Sequence, residues 1–203
     1  MIGQLKSVLR SIRWLLRSYR LRDSYLHESG FFRSLEKGRP ATVSGAPAPW
    51  MNYSFIHFLA PRVSGLRIVE YGSGYSTAFW ADRAAHVKAV EHNGEWFSQV
   101  KDQLRHHTNA EIVHISEKKN YVEYLKKENA DIVIIDGIHR RSCMKAAVES
   151  LQDEAVVIVD DSNRTGISEE ISNIKSEYEY KVIRISGMKA RDTGVFETSI
   201  LYK

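Results

Sequence analysis

The feature that most constrains this chain is an alternation that begins at Leu66. Short apolar runs at residues 66–70 (LRIVE), 87–91 (VKAVE), 111–115 (EIVHI), 131–136 (DIVIID) and 155–160 (AVVIVD) are each followed by a helix-length stretch. Strands separated by helices run parallel, because the chain crosses over between neighbours, and the crossovers lay helices on both faces of one sheet. The pattern changes at the end. Residues 180–185 and 195–202 are strand-like and joined by a Gly-containing loop with no helix between them, which predicts an antiparallel pair at the sheet edge. The expected fold is α/β: a doubly wound, mostly parallel seven-stranded sheet with a C-terminal antiparallel hairpin, preceded by N-terminal helices.

A chain of 203 residues buries one sizeable core and is short for two ordinary domains. The expected division is an N-terminal helix and linker over residues 1–49 and one domain over residues 50–203. Ile2, Leu5, Leu9, Ile12, Leu16 and Tyr19 recur at three- and four-residue steps, with Lys6, Arg10, Arg13, Arg17 and Arg20 in phase beside them. This is a basic amphipathic helix. Such a helix attaches to an anionic membrane surface or an acidic partner, or it packs on its own domain or on a second copy in a homo-oligomer. Three of the four prolines, with Gly45, lie in residues 38–49, a linker or ordered loop. Residues 52–59 (NYSFIHFL) predict a short helix over one end of the sheet, with His57 in the core; His106 and His107 read as a solvated helix end.

Residues 1–40 hold nine Lys or Arg and three Asp or Glu, so they carry +6 of a total of +4 and the remaining residues carry −2. The basicity belongs to the appendage, and an acidic body argues against a nucleic-acid partner. The single cysteine, Cys143, excludes an intrachain disulfide. Charges interrupt the first apolar residues, which is unlike a secretory leader. The expected setting is cytoplasmic, peripheral to the inner face of a membrane through residues 1–22 if the helix binds lipid.

The chemistry gathers at strand ends. Residues 67–77 read RIVEYGSGYST: a strand ending in Glu70, then Tyr71, Gly72, Ser73 and Gly74, then a helix beginning near Ser76 and Thr77. In a doubly wound sheet ligands bind beyond the carboxyl ends of the strands, and glycines there let the backbone approach the ligand. Thr77 stands where a pyrophosphate-binding loop has its third glycine, and Glu70 suits a cationic ligand end better than a phosphate. Glu91 ends the second strand 21 residues after Glu70, where an acid accepts hydrogen bonds from ribose hydroxyls. His92 and Trp96 follow and are candidates for an adenosine pocket, Trp96 equally for helix packing.

Gly72-Ser73-Gly74, Glu91, DIVIIDGIHR, AVVIVDDSN and the closing FETSILYK together resemble the class I S-adenosylmethionine-dependent methyltransferases. The similarity covers residues 50–203 and is greatest to the catechol-type and macrolide-sugar O-methyltransferase branch. It implies the Rossmann-like methyltransferase fold, with Glu70 and the Gly72–Gly74 turn against the methionine part of S-adenosyl-L-methionine and Glu91 on its ribose. The branch often has an acid near adenine after the third strand; here Ser116 is the candidate.

Asp136 ends the fourth strand and Asp160 and Asp161 the fifth. Three clustered carboxylates repel one another unless a cation or protons compensate. Metal-dependent relatives bind their ion with acids at these strand ends, which implies Mg²⁺ on Asp136, Asp160 and Asp161. The alternatives are contact with the cofactor amine, helix capping, or solvation. His139, three residues after Asp136, is the candidate base for a substrate hydroxyl, or a plain helix-start residue; a similar Asp-Gly-x-His arrangement occurs in some sugar O-methyltransferases. The expected activity is O-methylation of a small molecule or sugar precursor, with Trp50, Tyr53 and Arg164 near the acceptor. A nicotinamide-dependent oxidoreductase, which would share the glycine turn and Glu91, and a non-catalytic cofactor-binding module are the rival readings.

Overall fold

The computed structural model describes residues 2–203, with the side chains of residues 2, 3 and 127 left aside. Seven strands form one sheet in the order β3-β2-β1-β4-β5-β7-β6. They are β1 (Arg67–Tyr71), β2 (His86–Glu91), β3 (Ala110–His114), β4 (Ile132–Ile135), β5 (Val156–Asp160), β6 (Lys181–Lys189) and β7 (Asp192–Tyr202). β1 to β5 pair in parallel, and β7 inserts antiparallel between β5 and β6. The expected fold is borne out. The chain runs outward from β1 to β3 and returns to β4 beside β1, so the strand order reverses between β1 and β4, and ligands in such sheets bind at the carboxyl ends beside that switch point.

Alternation along the strands divides the core. Ile68, Ile132 and Ile134 point into a cluster with Phe55 and Trp80. Their neighbours Val69, Val133 and Ile135 point into a cluster with Tyr121 and Met144 on the opposite face. The strands are buried on both sides, which is why they read as continuous apolar runs. The helices that matter for the site are α4 (Tyr53–Leu59), α5 (Tyr75–Ala81), α6 (Gly94–Gln103), α7 (Lys118–Val122), α8 (Arg140–Ser150) and α9 (Thr165–Glu177). Asn52 caps α4 and Asn93 caps α6, each accepting from a backbone N–H three residues on.

Ahead of α4 lie α1 (Ile2–Arg20), α2 (Tyr25–Glu28) and α3 (Phe31–Lys37). The packing does not break at residue 49: Phe31 and Ala48 belong to the same core cluster as Phe55. Ser34 ties the proline-rich segment down, donating to the carbonyls of Gly30 and Ala41 and accepting from the Ala41 N–H. The last turn of α1 packs through Tyr19 on His27 and Phe32, while Leu5, Leu9, Ile12 and Leu16 along it are between 47% and 63% exposed. No described helix is long and apolar enough to cross a membrane. Two histidines depart from expectation. His57 is exposed, stacked edge-on against Tyr25, because α4 turns that face outward; His107 is half-buried with its ring 2.9 Å from an Asp82 oxygen.

Candidate active site

Beyond β1, Gly72 adopts φ +88°, and a Cβ there would lie 2.8 Å from the Cα of Gly137 in the turn after β4. A Cβ on Gly137 would in turn sit 2.8 Å from the Gly72 nitrogen and 2.1 Å from the Tyr121 hydroxyl. The two loops touch backbone to backbone, which only two glycines permit. Thr77 fixes the turn from inside: its hydroxyl accepts from the Gly74 N–H and donates to Glu70. Trp96 fixes it from outside, donating its indole N–H to the Ser73 carbonyl at 2.7 Å.

Glu91 crosses the gap between the β1 and β2 loops. One oxygen accepts from the N–H and hydroxyl of Ser73, the other from the N–H groups of His92 and Asn93, all between 2.9 and 3.1 Å. Four donors aimed at one buried carboxylate fix its orientation. Glu70 differs. It is fully buried, one oxygen takes the Thr77 hydroxyl, and the other has no hydrogen-bond partner among the described residues. Burial pushes its pKa up to about 7, opposed by the neighbouring Ser76 and Thr77 hydroxyls, with Glu91 raising it further.

The acids at the tips of β4 and β5 are met by cations from this chain. Arg140, at the start of α8, donates to Asp136 at 2.7 Å and to the carbonyls of Asp136, Gly137 and Asp160. Lys189, at the end of β6, reaches Asp160 at 3.2 Å and Asp161. Arg164 pairs with Asp161. Thr198 donates to the other Asp160 oxygen at 2.6 Å and accepts from Asn52. Burial raises the pKa of Asp136, as does Asp160, while Arg140 and Lys189 pull it down. Burial also raises Asp160, opposed by Lys189 and Thr198.

The residues present do not fit the expected Mg²⁺ site. Among the described residues no three His, Cys, Asp or Glu converge as a metal-binding group. The oxygens of Asp160 and Asp161 already face an ammonium, guanidinium groups or a hydroxyl, so this donor set does not fit a divalent ion.

A cleft of about 370 Å³ runs along the loops and is lined by Gly72, Ser73, Ser76, Glu91, His92, Asn93, Trp96, Asp136, Gly137 and Ile138. Of the expected cofactor residues it brings together Gly72, Ser73, Ser76, Glu91, His92 and Asp136. Glu70, Gly74 and Thr77 stand behind the turn and support it. Tyr71 faces the opposite core, its hydroxyl donating to the Val122 carbonyl and accepting from the Leu125 N–H. Ser116 is exposed and does not line the cleft, whereas Asn93 and Trp96 do. His139 caps α8 at φ +54°, exposed, its ring edge-on to Tyr121 at 6.4 Å and without a hydrogen bond among the described residues. Tyr53 is buried, whereas Trp50 and Arg164 are exposed. Arg140 and Lys189 were missed by sequence reasoning. Arg140-Arg141 opening a helix was a signal, since cations at a helix N-terminus are unfavourable unless acids or carbonyls receive them. Lys189 carried none.

No protein-family model matches this chain, and no curated protein does. Solved structures do. An O-methyltransferase from Bacillus cereus in complex with SAH shares 15% identity over 99% of this chain and 100% of its own, with a TM-score of 0.62. The O-methyltransferase TomG from Streptomyces achromogenes, involved in tomaymycin synthesis and solved with SAM, shares 15% identity over 95% and 96%, with a TM-score of 0.61. An rRNA methylase from Streptococcus thermophilus shares 16% identity over 74% and 95%, with a TM-score of 0.57. Sheet order, the reversed seventh strand and these likenesses agree: the chain has the Rossmann-like fold of the class I S-adenosylmethionine-dependent methyltransferases.

Proposed function

We propose that the protein is an S-adenosylmethionine-dependent methyltransferase that methylates a hydroxyl of a small molecule or sugar precursor. The observation that carries the reading is the cleft itself, where the Gly72–Ser73 turn, the Glu91 carboxylate and the Asp136–Gly137 turn converge. Its donors fit the cofactor. Glu91 is an oriented acceptor for vicinal hydroxyls, Trp96 and His92 line the cleft, and behind the turn one buried oxygen of Glu70 has no hydrogen-bond partner among the described residues. When bound, S-adenosylmethionine supplies an electrophilic methyl group on a sulfonium. The protein's part is to place the acceptor oxygen in line and to receive its proton. His139, beside the Asp136–Ile138 rim and with its ring free of hydrogen bonds among the described residues, receives that proton; Arg140 holds Asp136 against the cleft. The mild acidity of residues 41–203 and two O-methyltransferases among the full-length structural likenesses favour a small acceptor over RNA. Calorimetry with S-adenosylhomocysteine and with NAD tests the reading: the first binds and the second does not, and the reverse would establish the oxidoreductase alternative.

A second reading concerns α1. Its exposed apolar stripe is flanked by Lys6, Arg10, Arg13, Arg17 and Arg20 and carries no acid, so two copies pairing along it would set like charges together, whereas an anionic bilayer meets both the charge and the apolar face. Flotation with phosphatidylserine-containing vesicles, lost in Leu9→Glu/Leu16→Glu and with phosphatidylcholine alone, is the expected result.

A further inference from the structure

The hairpin β6–β7 does more than close the sheet. The register between Gly187 and Lys189 is irregular, and such a bulge re-aims the side chain that follows it. At Gly187 a Cβ would come within 2.7 Å of the Ser54 hydroxyl and 3.3 Å of Asn52 Oδ1, so α4 presses β6 into this shape. The result is that Lys189 turns inward and its side chain is only 8% exposed, as is that of Asp161, while Asp160 is 1% exposed. The Phe196 ring covers it from another side, 4.5 Å from the ammonium.

A buried ammonium costs free energy unless anions offset it. Here two carboxylates do. The strand tips bring three acids, Asp136, Asp160 and Asp161, against three cations, Arg140, Arg164 and Lys189, paired at 2.7 Å for Arg140 with Asp136 and at 3.2 Å for Lys189 with Asp160. Counted formally, the three acids match the three cations. A divalent ion placed on these oxygens would meet the Lys189 ammonium at the same carboxylates, and charges so close in a water-poor pocket repel strongly.

We propose that Lys189 is the resident cation of this acid row: it stands where a divalent metal would otherwise be needed, positions Asp160 and Asp161, and makes the site metal-independent. The proposal deepens the methyl-transfer reading of the same cleft, yet its test does not depend on turnover. Lys189 touches the acids and is a positioning residue. Its removal uncovers carboxylate oxygens of the kind that Mg²⁺ and Mn²⁺ prefer, so the same substitution that empties the pocket creates a metal site.

The experiment is an Mn²⁺ titration of the full chain, stripped with EDTA, followed by electron paramagnetic resonance. Wild type takes up no Mn²⁺ that depends on Asp160: its titration matches that of Asp160→Asn. Lys189→Met binds Mn²⁺ about 100-fold more tightly than wild type, and Lys189→Met/Asp160→Asn loses the gain. Wild-type binding that Asp160→Asn abolishes, or a folded Lys189→Met with no gain, overturns the proposal. Should Lys189→Met fail to fold without metal, the wild-type and Asp160→Asn comparison decides alone. S-adenosylhomocysteine calorimetry of wild type, run in EDTA and again in Mg²⁺, gives equal affinities; absence of binding in both would sink the methyltransferase reading and leave the Mn²⁺ outcome standing.

Discussion

Gly72→Ala and Gly65→Ala form a matched pair that measures what the contact between the β1 and β4 loops is worth. Both glycines have left-handed φ, +88° and +78°, at opposite ends of β1. At Gly65 an added Cβ meets nothing within 4 Å, whereas at Gly72 it meets backbone atoms of Gly137 at 2.8 and 2.9 Å. Both variants therefore carry the cost of a left-handed alanine, about 1–2 kcal/mol. Gly72→Ala alone adds the cost of forcing two backbones apart, about 1–3 kcal/mol by analogy with overpacked cores. For a chain of this size each kcal/mol moves the melting temperature by about 2–4 °C. Gly65→Ala should melt about 2–8 °C below wild type and bind S-adenosylhomocysteine normally. Gly72→Ala should melt a further 2–12 °C lower, about as the added strain predicts, and bind at least about tenfold more weakly, because the turn that lines the cleft must shift. Differential scanning fluorimetry and calorimetry read the two effects. Equal melting temperatures, or unchanged affinity in Gly72→Ala, would refute the claim that backbone contact with Gly137 shapes the cleft.

Glu70→Gln tests the buried acid: a folded-state pKa pushed from 4.5 up to about 7 means the native state binds the extra proton, so wild-type stability falls as pH rises from about 4.5 to 7, by about 3 kcal/mol at most. The glutamine variant, which keeps an acceptor for Thr77, should show a flatter melting profile over that window and melt above wild type at pH 8; a parallel profile would mean Glu70 is ionised throughout. Glu91→Gln should weaken S-adenosylhomocysteine by about tenfold or more, the worth of a strong hydrogen bond, and also lower the melting temperature, since an amide offers one acceptor oxygen to the four donors that now share two. His139→Ala should lower kcat by about 100-fold or more while the cofactor Kd stays unchanged; a joint fall in both would remove the histidine from the proton-transfer role. Arg140→Met should loosen both strand tips, with a loss of stability of about 3 kcal/mol, checked by urea denaturation.

Strand runs, helix gaps and the missing last helix specified the sheet, its parallel order and its closing hairpin, because burial on both faces and the period of two are written residue by residue. The glycine turn and Glu91 were legible for a related reason: local backbone geometry and strand-end position depend on adjacent residues. The burial of residues 31–49 against the domain was not legible, since a proline-rich segment looks the same whether it links or packs. Nor was Tyr71: β1 runs one residue beyond Glu70, so Tyr71 still alternates into the other core instead of joining the turn. The acids were visible, but their partners were not. Arg140 meets Asp136 across a turn, and Lys189 comes from a segment that reads as loop and is extended strand. Sequence spacing thus determined where carboxylates gather, while only the tertiary fold decided what neutralises them, because charge compensation is set by distance in space and β6 returns Lys189 to acids 28 and 29 residues away along the chain.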